Sequence, residues 1–461
     1  MKLNSDLQPL VTINKPAFNP VHEYKKDFDL TDVFLFEKGQ PFDKYKDLRE
    51  NSPVHFHDSG LGDSEPGFWV LTKYEDIEYV SRNQKVFSSQ LASGTTLTLG
   101  YAQEMGINQL FRSALDHMLG MDDKLHLSMR NPHMKFFTPK YIEELRKKVS
   151  VKVTELLDGI APLGKCNLVD SISSELPIFS LSEILGVPEE DRSKIKEWMT
   201  FLEMAQVVGA TQAAEKNNIE LDKAQQASAP DPAMIEMFMT IVDEMFDYGR
   251  NILLKRRKEP KDDLLSVIAN IEIDGKKLPE EYLDGSWLLI IIAGNETTRN
   301  SISGTIKLLT ENSDQKEKLL GNMELLPNMA NEAIRLISPV IYMRRTTKEE
   351  TQIGDQKIGP QEKVVLYYGA ANRDPKIFSN PDKFDIEREN AKKHLAFGYG
   401  RHLCLGKHMA NMQLIEVYRQ ILERFPDMHQ SDEWKVVPNN FTHSISEMPV
   451  SSKQSKYAKF Y

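Results

Sequence analysis

Cysteine is almost absent: the 461 residues contain two, Cys166 and Cys404, far apart in the chain. Such a pair builds no disulfide framework, so a reducing cytoplasm is the expected compartment. Long hydrophobic runs are missing as well. The longest purely apolar stretch, Trp287–Ala293, falls far short of the roughly 20 residues that span a bilayer. Residues 1–21 lack the apolar core of a secretory signal, and neither a membrane anchor nor a cleavable leader is expected. A net charge of -10 argues against nucleic acid as a general partner. No Gly-x-Gly-x-x-Gly fingerprint and no cysteine cluster for iron–sulfur is present, so redox chemistry would take its electrons from separate proteins.

What remains is an ordinary globular composition, 27% charged and 40% hydrophobic. Phe68–Thr72 reads as a strand, and Tyr74–Arg82 as a helix after it. A Gly-, Thr- and Leu-rich loop covers about 91–118. From Leu125 the pattern is helical, with apolar spacings of three and four through Tyr141–Leu157 and Leu176–Leu185. Residues 217–233, rich in Ala, Gln, Ser and Pro, read as a loop between helices. Shorter β-like runs return over Gln352–Tyr368, and the end after Asp427 is loop-rich and partly β. The expectation is a mainly α protein with a smaller β region: about 20–90 and 340–390 β-rich, about 91–335 and 404–425 helical, one domain over 1–461.

Cys404 lies in Phe397-Gly398-Tyr399-Gly400-Arg401-His402-Leu403-Cys404-Leu405-Gly406, a glycine-hinged loop that enters a long amphipathic helix. Free amides at a helix start favour negative charge and should lower the thiol pKa, as suits a thiolate metal ligand. His402, two residues earlier, can reach an acidic group on the same cofactor. A second constellation is Ala293-Gly294-Asn295-Glu296-Thr297-Thr298, inside a proline-free stretch from Tyr282 to Leu309 that could be one helix of roughly 40 Å. The Thr297 hydroxyl can bond the Ala293 carbonyl and open a groove in the helix, with Glu296 as a carboxylate beside it. Small residues at 293 and 294 would let a flat ligand lie close. Glu332 and Arg335 share one helix face.

The cysteine loop resembles the heme-ligand loop of the cytochrome P-450 superfamily of heme-thiolate monooxygenases. The resemblance implies a helical prism around a buried heme b. Cys404 would be its axial iron ligand, whose thiolate pushes electron density onto the metal. Phe397 would shield the sulfur, His402 would reach a propionate, and Gly400 and Gly406 would keep the backbone clear of the porphyrin. In the same family Ala-Gly-x-Glu-Thr-Thr marks the oxygen-activating helix, which implies roles for Ala293 beside the heme, Thr297 in activating O2, and Glu296 in its proton route.

Glu332 and Arg335 match the family's Glu-x-x-Arg element. Its usual third member, an arginine, is replaced at the corresponding place by Lys383, so either Lys383 or Arg388 completes the set. His126 and Arg130, one turn apart, and Arg345 supply cations for the two propionates. The entry to the His126 helix, Asp122-Asp123-Lys124-Leu125, departs from the family's pattern.

Carried over from the family, the pocket would involve Ile290, Val340, Ile341, Tyr342 and Phe441, with wider walls over 95–118, 201–212 and 440–443. Gln103, Gln109, Gln206, Gln212, Tyr342 and His443 in these walls suggest a substrate with several hydrogen-bonding groups. The reaction expected is insertion of one oxygen atom into a C–H bond, seen as hydroxylation or, next to an ether oxygen, as O-demethylation. A lipophilic terpenoid, steroid side chain or alkyl chain is the alternative substrate. A peroxide-using enzyme and a non-catalytic heme sensor are alternative functions. Electrons would pass from NAD(P)H through a ferredoxin reductase and a ferredoxin to this chain as a monomer. Arg112, Lys124, Lys135, Arg401 and Lys407 are the expected docking cations.

Overall fold

The computed structural model describes residues 16–22, 24, 25, 27–58, 67–90, 113, 116–203, 205, 208 and 231–453. Gln103, Gln109, Arg112, Gln206 and Gln212 lie outside them, as does most of the 91–118 loop and of the 217–233 segment.

A five-stranded sheet joins two distant parts of the chain. Its strands are β1 (Val54–His57), β2 (Phe68–Leu71), β3 (Phe87–Ser88), β4 (Tyr342–Thr347) and β5 (Lys363–Tyr367), in the order β1-β2-β5-β4-β3. Only the β5–β2 pair is parallel, with Val365 opposite Val70. Successive residues of a strand point to opposite faces, and here both faces are covered. Phe68 and Val70 enter the main core with Val365 and Tyr367, while Trp69 and Leu71 enter a second, smaller core with Val364 and Leu366. That is why β2 and β5 carry continuous hydrophobic runs rather than an alternating pattern.

The rest is mostly helical. The helices that position the site are α1 (Tyr74–Arg82), α2 (Asp123–Arg130), α3 (Pro139–Ile160), α4 (Glu175–Leu185), α5 (Arg192–Leu202), α6 (Pro232–Lys258), α7 (Glu280–Glu311), α8 (Leu326–Ile337) and α9 (Lys407–Arg424). The Thr138 hydroxyl caps α3 by accepting from the Tyr141 amide, and Pro139 occupies the first turn. Its buried stripe, Ile142, Leu145, Val149, Val153, Leu157 and Ile160, follows the three-and-four spacing of the sequence. The 32 residues of α7 give it a length of about 48 Å at ~1.5 Å per residue. It packs along α4, α5, α6, α8 and α9, and glycines set the close approaches. A Cβ at Gly294 would stand 2.8 Å from Leu181 of α4, and one at Gly304 would stand 2.8 Å from Ile337 of α8. After α9, a short hairpin, β6 (Lys435–Val437) and β7 (Ser444–Glu447), brings the C-terminal segment back to α7.

Candidate active site

Cys404 sits between the turn Gly400–His402 and the first residue of α9. Its amide donates to the Phe397 carbonyl at 2.8 Å, which closes the loop on itself. Gly398 and Gly400 hold φ of 70° and 71°, a region that penalises any side chain. A Cβ on Gly400 would also lie 2.6 Å from the Ser81 carbonyl of α1, so this glycine locks the loop against α1. A Cβ on Gly406 would come to 4.0 Å from the Cys404 Sγ, leaving that side of the thiol uncrowded. Phe397 packs against the main core, with its ring 5.3 Å from that of His394.

The thiol is exposed, yet burial within the surrounding protein pushes its pKa up. A side chain at the floor of a concavity has both properties. The amides of Gly406 and Lys407 and the charges of Arg130 and Lys407 pull the other way, as the helix-start argument expects, but desolvation outweighs them. The expected lowering is therefore not found in the protein alone. Among the described residues no group of three His, Cys, Asp or Glu side chains could hold a metal ion.

Four more candidates gather around this loop. Arg130 donates from Nη2 to the Leu403 carbonyl at 2.7 Å. The rings of His126 and His402 lie 4.2 Å apart, and His402 Nε2 is 3.3 Å from the Ser89 hydroxyl. Arg345, on β4, is 5% exposed and donates to the Arg344 carbonyl. It has no carboxylate partner among the described residues.

Burial first, and then the surrounding cations, depress the pKa of both histidines. His126 falls to about 4 with Arg130, Arg401 and Arg345 acting on it, and His402 falls well below its ordinary value under Arg345, His126, Arg130 and Arg401. Both ring nitrogens of His126 and Nδ1 of His402 are buried without a partner. Orphaned imidazole nitrogens buried beside several cations are costly unless a ligand satisfies them. A flat cofactor bearing two carboxylates and accepting one axial thiolate fits this residue set. The irregular entry to α2 does not disturb it. Asp123 takes φ 46°, and the Asp122 carboxylate fastens β3 by accepting from the Ser88 hydroxyl and, at 2.9 Å, from the Ser89 amide.

On α7, Ala293 is exposed and Thr297 donates to its carbonyl at 3.4 Å, as the spacing predicts. Gly294 turns to Leu181, so its small size serves helix packing instead of a flat ligand. Glu296 accepts at Oε1 from the Thr442 hydroxyl, 2.6 Å away, and from the Ser444 hydroxyl. Nothing local in the sequence announces these two partners; they alternate on the C-terminal segment, on the same side of a near-extended chain. The pocket candidates Val340, Ile341 and Phe441 adjoin one another: Val340 bridges Thr442, and the Ile341 amide donates to the Phe441 carbonyl at 2.8 Å. Ile290 is half-buried on α7. Tyr342 is fully buried, its ring 5.5 Å from Phe441, and His443 is buried against Trp434 and Gly39. Both are shielded from bulk solvent, and both ring nitrogens of His443 are buried without a hydrogen-bond partner.

Behind the loop, Glu332 and Arg335 are fully buried and doubly bonded at 2.7 and 2.8 Å. Arg388 completes the set, its Nε donating to Glu332 Oε1 at 2.9 Å, while Lys383 is exposed and offers only its carbonyl. Arg335 also donates to the Asn372 carbonyl, and the Asn372 side chain accepts from the Leu395 amide at 2.6 Å, so the network reaches the thiol loop. Of the expected docking cations, Lys124 pairs with Asp274, Lys135 with Asp262 and Arg401 with Asp123. Lys407 has no acidic partner among the described residues. No described helix is long and apolar enough to cross a membrane.

The protein-family model for Cytochrome P450 matches residues 200–450. Linalool 8-monooxygenase of Pseudomonas putida is 31% identical over 92% of this chain and 98% of its own. Steroid C26-monooxygenase of Rhodococcus jostii strain RHA1 is 29% identical over 92% of this chain and 85% of its own. The crystal structure of CYP108D1 from Novosphingobium aromaticivorans superposes with a TM-score of 0.77 at 26% identity, covering 92% of this chain and 97% of that one.

Proposed function

The chain belongs to the cytochrome P450 family and is a monooxygenase, and on that footing we propose that it hydroxylates a lipophilic terpenoid, steroid side chain or alkyl chain. The family's heme supplies, when bound, the activation of O2 for insertion into an unactivated C–H bond. The residues of this chain supply the rest. Cys404 would ligate the iron, helped by the amides of Gly406 and Lys407 once the thiol is deprotonated. Arg130, Arg345, His126 and His402 would take the two propionates, and Phe397 would cover the sulfur. Thr297 and Glu296 would hold and pass protons in the groove beside Ala293.

The observation that carries this assignment is the ring of cations and unpartnered imidazole nitrogens around a single thiol. The lipophilic substrate rests on the described wall: Ile290, Val340, Ile341 and Phe441 are apolar, while Tyr342 and His443 are enclosed by the fold. Against these apolar side chains a polar substrate group would go unsatisfied. The relatives named linalool 8-monooxygenase and steroid C26-monooxygenase favour the same class. Electrons would come from a ferredoxin and its reductase docking at the Lys407 side, with the enzyme in the cytoplasm.

The test is a carbon-monoxide difference spectrum of the reduced protein, followed by oxygen-dependent turnover with a ferredoxin, its reductase and NADPH. A strongly red-shifted Soret band in the native protein, absent in C404A, is expected, together with hydroxylated terpenoid or sterol. A protein without that band would overturn the assignment, and spin shifts only with polar methoxylated compounds would overturn the substrate class.

A further inference from the structure

Glu203 ends α5, where its amide donates to the Met199 carbonyl, and its carboxylate forms an ion pair with Arg299 of α7. Both side chains are buried, at 6% and 4% exposure. Arg299 nevertheless keeps Nε and Nη2 buried and unpartnered, and one turn back on the same helix Asn295 keeps Oδ1 in the same condition. Three orphaned polar atoms on neighbouring positions of one helix face are the setting in which internal water is retained. Glu296 lies between them in sequence, one turn from Arg299. Both of its described hydrogen bonds fall on Oε1, and Oε2 has none among the described residues.

We propose that Glu203 and Arg299 form the solvent-side end of a proton path to Glu296, with water held on Arg299 and Asn295 as the carrier. The proposal rests on the monooxygenase reading and deepens it. In the transfer step, protonated Glu203 gives its proton to the water chain, the chain gives one to the Glu296 carboxylate, and Glu203 recovers a proton from solvent. Glu203 therefore acts through Glu296 as a relay and positioning residue. Arg299 holds the water and keeps the chain oriented.

The electrostatics agree with this geometry. Burial raises Glu203 to about 7, Glu296 adds to the rise, and Arg299 opposes it. Glu203, Glu296 and Asp170 together hold Arg299 charged against its own burial. A carboxyl that changes protonation near neutral pH can both give and retake a proton under working conditions. The protonated fraction of Glu203 falls as pH rises through 7, so path-dependent turnover should decline above that pH.

The test uses the holoprotein with its electron-transfer partners. Infrared titration of the resting wild type should show a protonated-carboxyl band that disappears near pH 7 and is missing from E203Q. In turnover, E203Q should lose about 10-fold in product formed per NADPH consumed, show a larger solvent deuterium isotope effect, and lack the alkaline decline; E203D should recover most of the loss. Because E203Q leaves a buried arginine without its partner, the paired variant E203Q/R299Q removes both charges and should show the same kinetic changes in a stably folded protein. A paired variant with wild-type pH profile and isotope effect would overturn the path, as would a carboxyl band unchanged in E203Q. Absence of any oxygen-dependent turnover in the wild type would instead strike the monooxygenase reading itself.

Discussion

Arg388 and Lys383 stand close together in one loop and carry the same charge, yet they meet different fates. Arg388 turns inward, donating to Glu332 and to the carbonyls of Ser379, Asn380 and Lys383, whereas the Lys383 side chain stays in water. The planar guanidinium can satisfy a carboxylate and several carbonyls at once, which an ammonium cannot. Removing Arg388 leaves buried Glu332 with Arg335 as its only cation among the described residues. R388A should therefore cost about 3–5 kcal/mol and weaken heme retention through Asn372 and Leu395, while K383A should stay within about 0.5 kcal/mol of wild type. Denaturant titration of the two variants checks this; equal losses would refute it. The sequence contains both candidates, but which one turns inward depends on a loop reversal that no local pattern encodes. Cys404 and Thr297 were legible because their partners, the Phe397 and Ala293 carbonyls, lie within a short motif, whereas the partner of Arg130, the Leu403 carbonyl, comes from far along the chain. The hydroxyls that hold Glu296 were not, because they arrive from the far end of the chain.

At the scale of elements, α7 is positioned by what its neighbours lack. Gly285 allows the backbone at Asp116 to touch the helix, and a Cβ there would lie 2.0 Å from the Asp116 carbonyl oxygen. Backbone cannot move aside as a side-chain tip can, so G285A should destabilise by about 1–3 kcal/mol. Gly159, near the end of α3, has nothing within 4 Å of a built Cβ. There G159A should stabilise by about 0.5–1 kcal/mol, through helix propensity alone. Opposite signs in parallel thermal melts would distinguish packing from propensity, and equal signs would contradict the helix contacts described.

The C-terminal segment is positioned just as closely, by Thr442 and Ser444 on Glu296 and by the Asn300 side chain accepting from the Ile445 amide at 2.9 Å. T442V/S444A should leave the carbon-monoxide spectrum intact and lower coupled product by about 10-fold, read as product per NADPH; unchanged coupling would mean the hydroxyls do not hold Glu296 for its task. Helix periodicity made α3 and α4 legible in advance, the lack of proline from Tyr282 to Leu309 did the same for α7, and two-sided burial explains why β2 and β5 read as plain apolar runs. The contacts that fix α7 against the backbone at Ser113 and Asp116, by contrast, depend on an absent side chain, and glycine carries no pattern of its own.

Over the whole molecule, acid sensitivity follows from which titratable groups the fold encloses. Burial lowers His117, His133 and His443 to about 4 and His394 to about 3. Their unfolded forms bind a proton near pH 6.5, so between that value and about 4 the unfolded chain holds more protons than the native one. Stability from these groups is complete above pH 6.5 and is lost as pH falls through the window. Two buried carboxyls oppose them. Burial raises Asp76 to about 6 and Glu203 to about 7, so from about 4 upward to those values the native state holds the extra protons, and stability from these two groups falls as pH rises. With His126 and His402 set aside because a bound cofactor would face them, four histidines against two carboxyls leave a net uptake of about two protons on unfolding near pH 5.5. The melting temperature should therefore drop steadily from pH 6.5 to 4.5, and calorimetry in buffers of different ionisation enthalpy should detect the uptake. D76N should lessen the opposing slope, raising the melting temperature by roughly 2 °C at pH 8 and leaving it unchanged near pH 4. A melting temperature independent of pH across this window would show that the four imidazoles are not held neutral by the fold.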